Sequence, residues 1–202
     1  MTTTYTENDI LKKAEVYKFL SVMYKEPKAD LSVYVQQLYR VIKDYDESLL
    51  NICEEMNYLF EEGNQELDEY LVEYSKLFIG PFKVLAPPYS SIYLEDKWEV
   101  QSKSTQVVES FYKRAGLTLI NWNEPKDHIT AQLEYMYFLN FKWNETRDEV
   151  YLVLQKEFLY RILTHWIPKF NAAIQKGASL KFYKLLGNLT EAVILRDYLA
   201  VK

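Results

Sequence analysis

Apolar side chains recur at three- and four-residue intervals along almost the whole chain, the spacing that keeps them on one face of an α-helix. Ile10, Ala14, Tyr17, Leu20 and Tyr24 form the first stripe, which ends at Pro27, and Thr6 and Asp9 stand ahead of it at capping-box spacing. Asp30 is placed to cap a second helix carrying Tyr34, Leu38 and Ile42. Leu49, Cys53, Met56 and Phe60 mark a third, stopping at Gly63. A fourth starts at Asn64 and carries Leu67, Tyr70, Leu71, Tyr74 and Phe78 up to Gly80-Pro81. Helix resumes with Val107, Val108, Phe111, Tyr112 and Ala115, and Gly116 suits a left-handed cap. Ile129, Leu133, Met136 and Leu139 predict a long helix to about Asn144, and Val150, Leu154, Phe158 and Ile162 another as far as His165. Pro168 is expected to start a short helix that ends at Gly177. Ser179 is expected to cap the last, with Phe182, Leu186, Leu189, Val193 and Leu199 on its inner side.

Two segments break the pattern. "GPFKVLAPPYSSIYLEDKW", residues 80 to 98, has three prolines and no clean period, so a long irregular loop is expected around 79–98. A second is expected around 116–127, where only "LTLIN" hints at strand alternation. Loops of this length inside a compact domain tend to be functional. With no repeat and no low-complexity tract, the expectation is an all-α, single-domain helical bundle over residues 1–202.

Composition narrows the function classes. A net charge of −5 disfavours nucleic acid as a partner and favours basic peptides, with an attraction that salt weakens. One cysteine excludes an internal disulfide, and Cys53 reads as a small core residue; two His and one Cys are too few for a structural zinc site. The first residues lack the basic and apolar regions of a signal peptide. No apolar run reaches the roughly 18 residues of a membrane span. A cytoplasmic chain without stable membrane insertion is therefore expected. The 18 Tyr, 10 Phe and 4 Trp suit either an amphipathic groove or a tyrosine-rich core.

The densest candidate chemistry lies in "NEPKDHITAQLEYM", residues 123 to 136. Pro125 biases Glu124 toward an extended conformation, Asp127 stands where an N-cap is expected, and His128 would be the first residue inside the helix. The positive end of the helix would keep His128 neutral. Three chemistries compete with a plain cap and an exposed histidine. A hydrolytic Asp-His pair lacks a G-x-S-x-G elbow, and adjacent residues do not easily face each other. A metal site lacks ligands. An anion at the helix N-terminus is the third, although no phosphate loop is present. Elsewhere, Trp166 and Phe170 are expected to pack at a proline-broken junction, with His165 a partly buried, satisfied histidine. Glu54, Glu55, Glu61 and Glu62 read as a solvated face, and Arg147-Asp148 as a turn.

"EYSKLFIGPFKVLAPPYSSIYLED" (73–96), "VVESFYKRAGL" (107–117), "EPKDHITAQLEYMYFL" (124–139) and "FLYRILTHWIPKF" (158–170) together resemble successive signatures of the TorD/DmsD/NarJ family of molybdoenzyme chaperones. The resemblance runs from about residue 10 to residue 198. It implies a non-enzymatic protein that binds the twin-arginine leader and apo form of a molybdopterin-containing oxidoreductase and delays export until the cofactor is inserted. It also implies an all-helical TorD-like domain, no resident cofactor, and weak guanine-nucleotide binding as found in some members. A monomer is expected, with a domain-swapped dimer conceivable. By motif position the leader-binding residues would be Pro88, Tyr89, Ser91 and Tyr93 of the first loop, and Glu124, Pro125, Asp127 and His128 of the second. Trp98 and Trp122 are added from composition and proximity, and Glu95 and Asp96 as further carboxylates beside the rings. The sequence departs from the family pattern at Ser90 and Gln132, where acidic residues are common; both are expected to remove charge from the arginine-reading face.

Overall fold

The computed structural model describes residues 7–61, 66–80, 83–95, 102–120 and 122–201. Thr6, Glu62, Gly63, Asn64, Pro81, Asp96, Trp98 and the Asp9 side chain, named above, lie outside the described residues. The fold is all-α: α1 (Glu7–Met23), α2 (Leu31–Tyr45), α3 (Leu50–Glu61), α4 (Leu67–Tyr74), α5 (Ser90–Leu94), α6 (Lys103–Arg114), α7 (Ile129–Thr146), α8 (Val150–Phe158), α9 (Thr164–Gly177) and α10 (Lys181–Val201). A 3₁₀ turn at Glu47–Leu49 leads into α3, and wide π turns at Ser75–Ile79 and Leu159–Leu163 extend α4 and join α8 to α9. α1 packs on α2 and α7, and α10 on α3 and α9.

The aromatic surplus goes largely into the core. Tyr24, Phe78, Phe170 and Tyr183 form a chain of rings with centroids 5.6–6.0 Å apart, offset or edge-on as ring quadrupoles prefer. Buried tyrosines also tie helices together through their hydroxyls: Tyr24 bonds Thr190 at 3.0 Å, Tyr135 donates to Phe111 C=O at 3.0 Å, and Tyr183 donates to Tyr70 C=O at 3.0 Å. Tyr17 and Tyr45 donate to the buried Asp197 at 2.8 and 2.6 Å, and Lys13 reaches it at 3.1 Å, so one carboxylate joins α1, α2 and α10. Such a charge is tolerable inside because it is paired and hydrogen-bonded. Burial pushes the Cys53 thiol up to about 12, as suits an inert core residue.

Several local expectations are corrected by packing. Pro168 does not start a helix but lies inside α9. The π turn before it ends at Thr164 with ψ −17°, flatter than the usual α value of about −42°, so the carbonyl four residues before the proline is turned from its usual α direction. α10 is capped by Glu73 of α4 rather than by Ser179: Glu73 Oε1 accepts from Ser179 N–H, and from Leu180 N–H at 3.2 Å. Asp30 makes no side-chain cap. Val107, Val150 and Leu199 are exposed, and so is His165. The 79–98 loop is shorter than expected, since Ile79 closes a π turn and 90–94 is helical. Gly116 adopts the left-handed conformation expected of it, at φ 74°.

Candidate functional site

The two irregular segments meet. Ile129 N–H donates to Pro88 C=O at 2.8 Å and Ser90 N–H to Asp127 C=O at 3.1 Å. These bonds flank an isolated antiparallel bridge between Tyr89 and His128, the single strand-like pairing among the described residues. Pro87 and Pro88 hold the first segment extended on its approach, and the Asp127 carboxylate fastens it by accepting from Ser91 N–H at 2.8 Å and Ser90 O–H at 3.5 Å.

This pairing overturns the expected cap. Asp127 is fully buried with its side chain turned to the first segment, and His128 takes the N-cap position of α7. His128 Nδ1 accepts from Thr130 N–H at 3.2 Å. That bond requires an unprotonated Nδ1, so the neutral ring carries its proton on Nε2. Burial pulls the imidazole down to about 4, helped by Lys25 and opposed by Glu124 and Asp127. The histidine is therefore neutral, as expected, but buried rather than exposed. Asp127 and His128 each serve a different backbone N–H and do not orient one another, so no hydrolytic pair is assembled. Among the described residues no three metal-ligating side chains cluster.

Around His128 stand the Tyr89 ring at 5.3 Å and the Trp122 ring at 6.0 Å, both edge-on. Trp122 Nε1–H donates to Pro125 C=O at 3.3 Å, and Tyr89 O–H to the exposed Glu124 carboxylate at 2.7 Å. Burial and the bond to Glu124 push the Tyr89 phenol up. The structure thus brings Tyr89, Trp122 and Glu124 together at the surface around the buried His128, with Pro88, Ser91 and Asp127 buried beneath as fasteners and Pro125 half-buried in the turn. Tyr93 does not join them: its ring lies against Trp166 at 5.9 Å and Phe170 at 6.0 Å. Glu95 is committed elsewhere, accepting from Ser102 O–H at 2.6 Å and Ser104 N–H at 2.7 Å at the start of α6. Ser90 and Gln132 are both fully buried, so their departures from the family pattern remove no charge from a surface. Gln132 instead bridges the interior, donating to Asp127 C=O at 2.7 Å and accepting from Trp166 Nε1–H at 3.1 Å.

Tyr74, Lys25 and Glu26, which sequence reasoning missed, complete the site. Tyr74 donates to Tyr24 C=O at 3.4 Å, and its phenol is pushed up to about 12 by burial and by the nearby charges of Glu26 and Glu124. Lys25 pairs with Glu134 at 2.8 Å. It borders an apolar groove of about 370 Å³ whose walls include Val22, Leu117, Leu119 and Phe138. Nothing in the local pattern of α1 or α4 signals that their ends lie beside the second loop.

A model of the family described as nitrate reductase delta subunit matches residues 32–172. The chain is 25% identical over 186 residues to the chaperone protein TorD of Aliivibrio salmonicida (strain LFI1238), covering 85% of this chain and 86% of that protein. It is 27% identical over 200 residues to the chaperone protein TorD of Vibrio cholerae serotype O1 (strain M66-2), covering 92% and 90%. A perchlorate reductase assembly chaperone protein of Dechloromonas aromatica (strain RCB) is 29% identical over 131 residues, covering 60% and 58%. A solved structure of a candidate redox enzyme maturation protein from Archaeoglobus fulgidus shares the fold. Its TM-score is 0.56 at 19% identity, over 89% of this chain and 91% of the other.

Proposed function

The chain belongs to the nitrate reductase delta subunit family, and from that premise we propose that it is a non-enzymatic, system-specific chaperone of a molybdopterin-containing oxidoreductase. In this reading it binds the twin-arginine leader and the apo form of its client, in the cytoplasm, before export. The relatives named as a TorD chaperone and as a perchlorate reductase assembly chaperone support the class of function.

The observation that carries the leader reading is the Tyr89–His128 bridge, which sets Glu124 and two aromatic rings at the surface from two separate loops. A twin-arginine leader joins a cationic pair to an apolar run. Glu124, pre-oriented by Tyr89, offers a guanidinium a charge-assisted acceptor, and Glu26 adds negative potential nearby. The neighbouring groove offers the apolar run a dry surface. A hydrogen bond to a charged group contributes about 1.5–3 kcal/mol, whereas ordering a flexible peptide costs about 2–5 kcal/mol. The apolar run must supply the surplus, and moderate affinity is the expected outcome.

The test is titration of the purified protein with the twin-arginine leader encoded beside its gene. Binding should weaken about tenfold in Glu124→Gln, the loss of one charge-assisted bond, and should fall with added salt. Equal binding of a scrambled peptide would refute the reading.

A further inference from the structure

A second surface, sharing no residue with the leader site, has the form of a helix receptor. Val150, Val153, Glu157 and Tyr160 recur at intervals of three, four and three along α8 and the wide turn after it. Val150, Val153 and Tyr160 on this line are 43–59% exposed. Across from them on α10 stand Tyr198, which stacks on Tyr160 with centroids 6.2 Å apart, and Val201, both half-buried. Between the two walls lies a cleft of about 410 Å³. Single exposed apolar residues are ordinary, but a contiguous set on two adjacent helices marks an interaction surface.

The rim has a definite sign. Glu157 is paired with Arg114 at 2.6 Å and also feels the charge of Arg161, which overlies the Phe111 ring at 5.8 Å, while Lys156 forms no ion pair among the described residues. On a chain of net charge −5 the cleft is lined by two cations, Lys156 and Arg161, against one carboxylate, Glu157, which is itself shared with Arg114. Two copies meeting symmetrically here would bring those cations against their own equivalents, which opposes self-pairing. Walls built from side chains at three- and four-residue spacing interdigitate with a third helix better than with a strand or a loop.

We propose that the cleft between α8 and α10 docks an amphipathic helix of a partner protein, with leucine-like residues along its buried stripe and carboxylates flanking that stripe opposite Lys156 and Arg161. The probe is a labelled peptide of about four helical turns, apolar along one stripe and flanked by glutamates, followed by fluorescence anisotropy on the full chain. Its twin carries lysines in place of the glutamates. The glutamate peptide should bind at least about tenfold more tightly than the twin, and Val153→Asp with Tyr160→Ser should remove about a tenfold factor or more. Lys156→Glu should narrow the preference between the two peptides. Circular dichroism of each variant should match the parent, because all three positions are exposed. Glu124→Gln should leave this binding unchanged while weakening the leader, so failure here and failure of the leader reading are separable. The proposal is overturned if both peptides bind equally, or if the Val153/Tyr160 substitutions have no effect. Self-association in sedimentation that these substitutions abolish would also overturn it, since a second copy would then be the occupant.

Discussion

Replacing Gln132 by glutamate should turn a pH-independent bridge into a pH-dependent one. The side chain is fully buried, with its amide N–H on Asp127 C=O at 2.7 Å and its carbonyl under Trp166 Nε1–H at 3.1 Å. An ionised glutamate there has no donor for Asp127 C=O, sets oxygen against oxygen, and loses its hydration. A protonated glutamate restores both bonds, because its O–H donates where the amide did. The folded state therefore favours the acid form, and the folded pKa of Gln132→Glu rises above the unfolded value of about 4.3. The folded variant then binds more protons than the unfolded chain, so its stability falls as pH climbs through that interval. If the folded pKa reaches about 7, the loss relative to the parent is near zero at pH 4 and about 3 kcal/mol at pH 7. For a chain of this size that corresponds to roughly 6–12 °C in Tm. Urea unfolding followed by circular dichroism at pH 5 and 7.5 measures it. Gln132→Met serves as the comparison: it orphans Trp166 N–H, leaves Asp127 C=O with only Ser90 N–H, and should cost about 1–3 kcal/mol equally at both pH values. A Gln132→Glu variant as stable as the parent at pH 7.5, or a gap constant with pH, would refute the buried bridge.

His128, held at about 4 when folded against about 6.5 unfolded, should make the chain lose about 2 kcal/mol between pH 7 and pH 5 as the unfolded histidine takes up a proton first. His128→Asn, which keeps an N-cap acceptor, should flatten that part of the stability profile in urea titrations. Glu73→Ala leaves Ser179 and Leu180 N–H without their cap and should lower stability by about 1–2 kcal/mol, with Glu73→Gln recovering most of it. Gly177→Ala offers a test by sign: helix propensity alone gives a gain of up to about 1 kcal/mol. A Cβ there would stand 2.9 Å from Leu85 Cβ, so overpacking of about 1–3 kcal/mol should dominate and the thermal midpoint should fall.

The helical stripes were legible because burial at 3.6-residue spacing is a local property of the chain. Ile129, Leu133, Met136 and Leu139 are all fully buried, as are Phe182, Leu186, Leu189 and Val193. The two irregular segments were legible as well, since proline removes the N–H groups a helix needs. The stripes failed at their ends: Val150 and Leu199 extend an apolar line that other helices no longer cover. Tertiary structure alone decided which group answers each open N–H. His128 replaced Asp127 as the α7 cap once the Asp127 carboxylate was drawn to Ser91, and Glu73 reached across from α4 to cap α10. It likewise set Tyr74 and Glu26 beside Glu124, and turned Tyr93 toward Trp166. Periodicity tells a residue which side of its own helix it occupies. Hydrogen-bond partners and charges depend on distances between segments far apart in the chain, and those arise only when the faces pack.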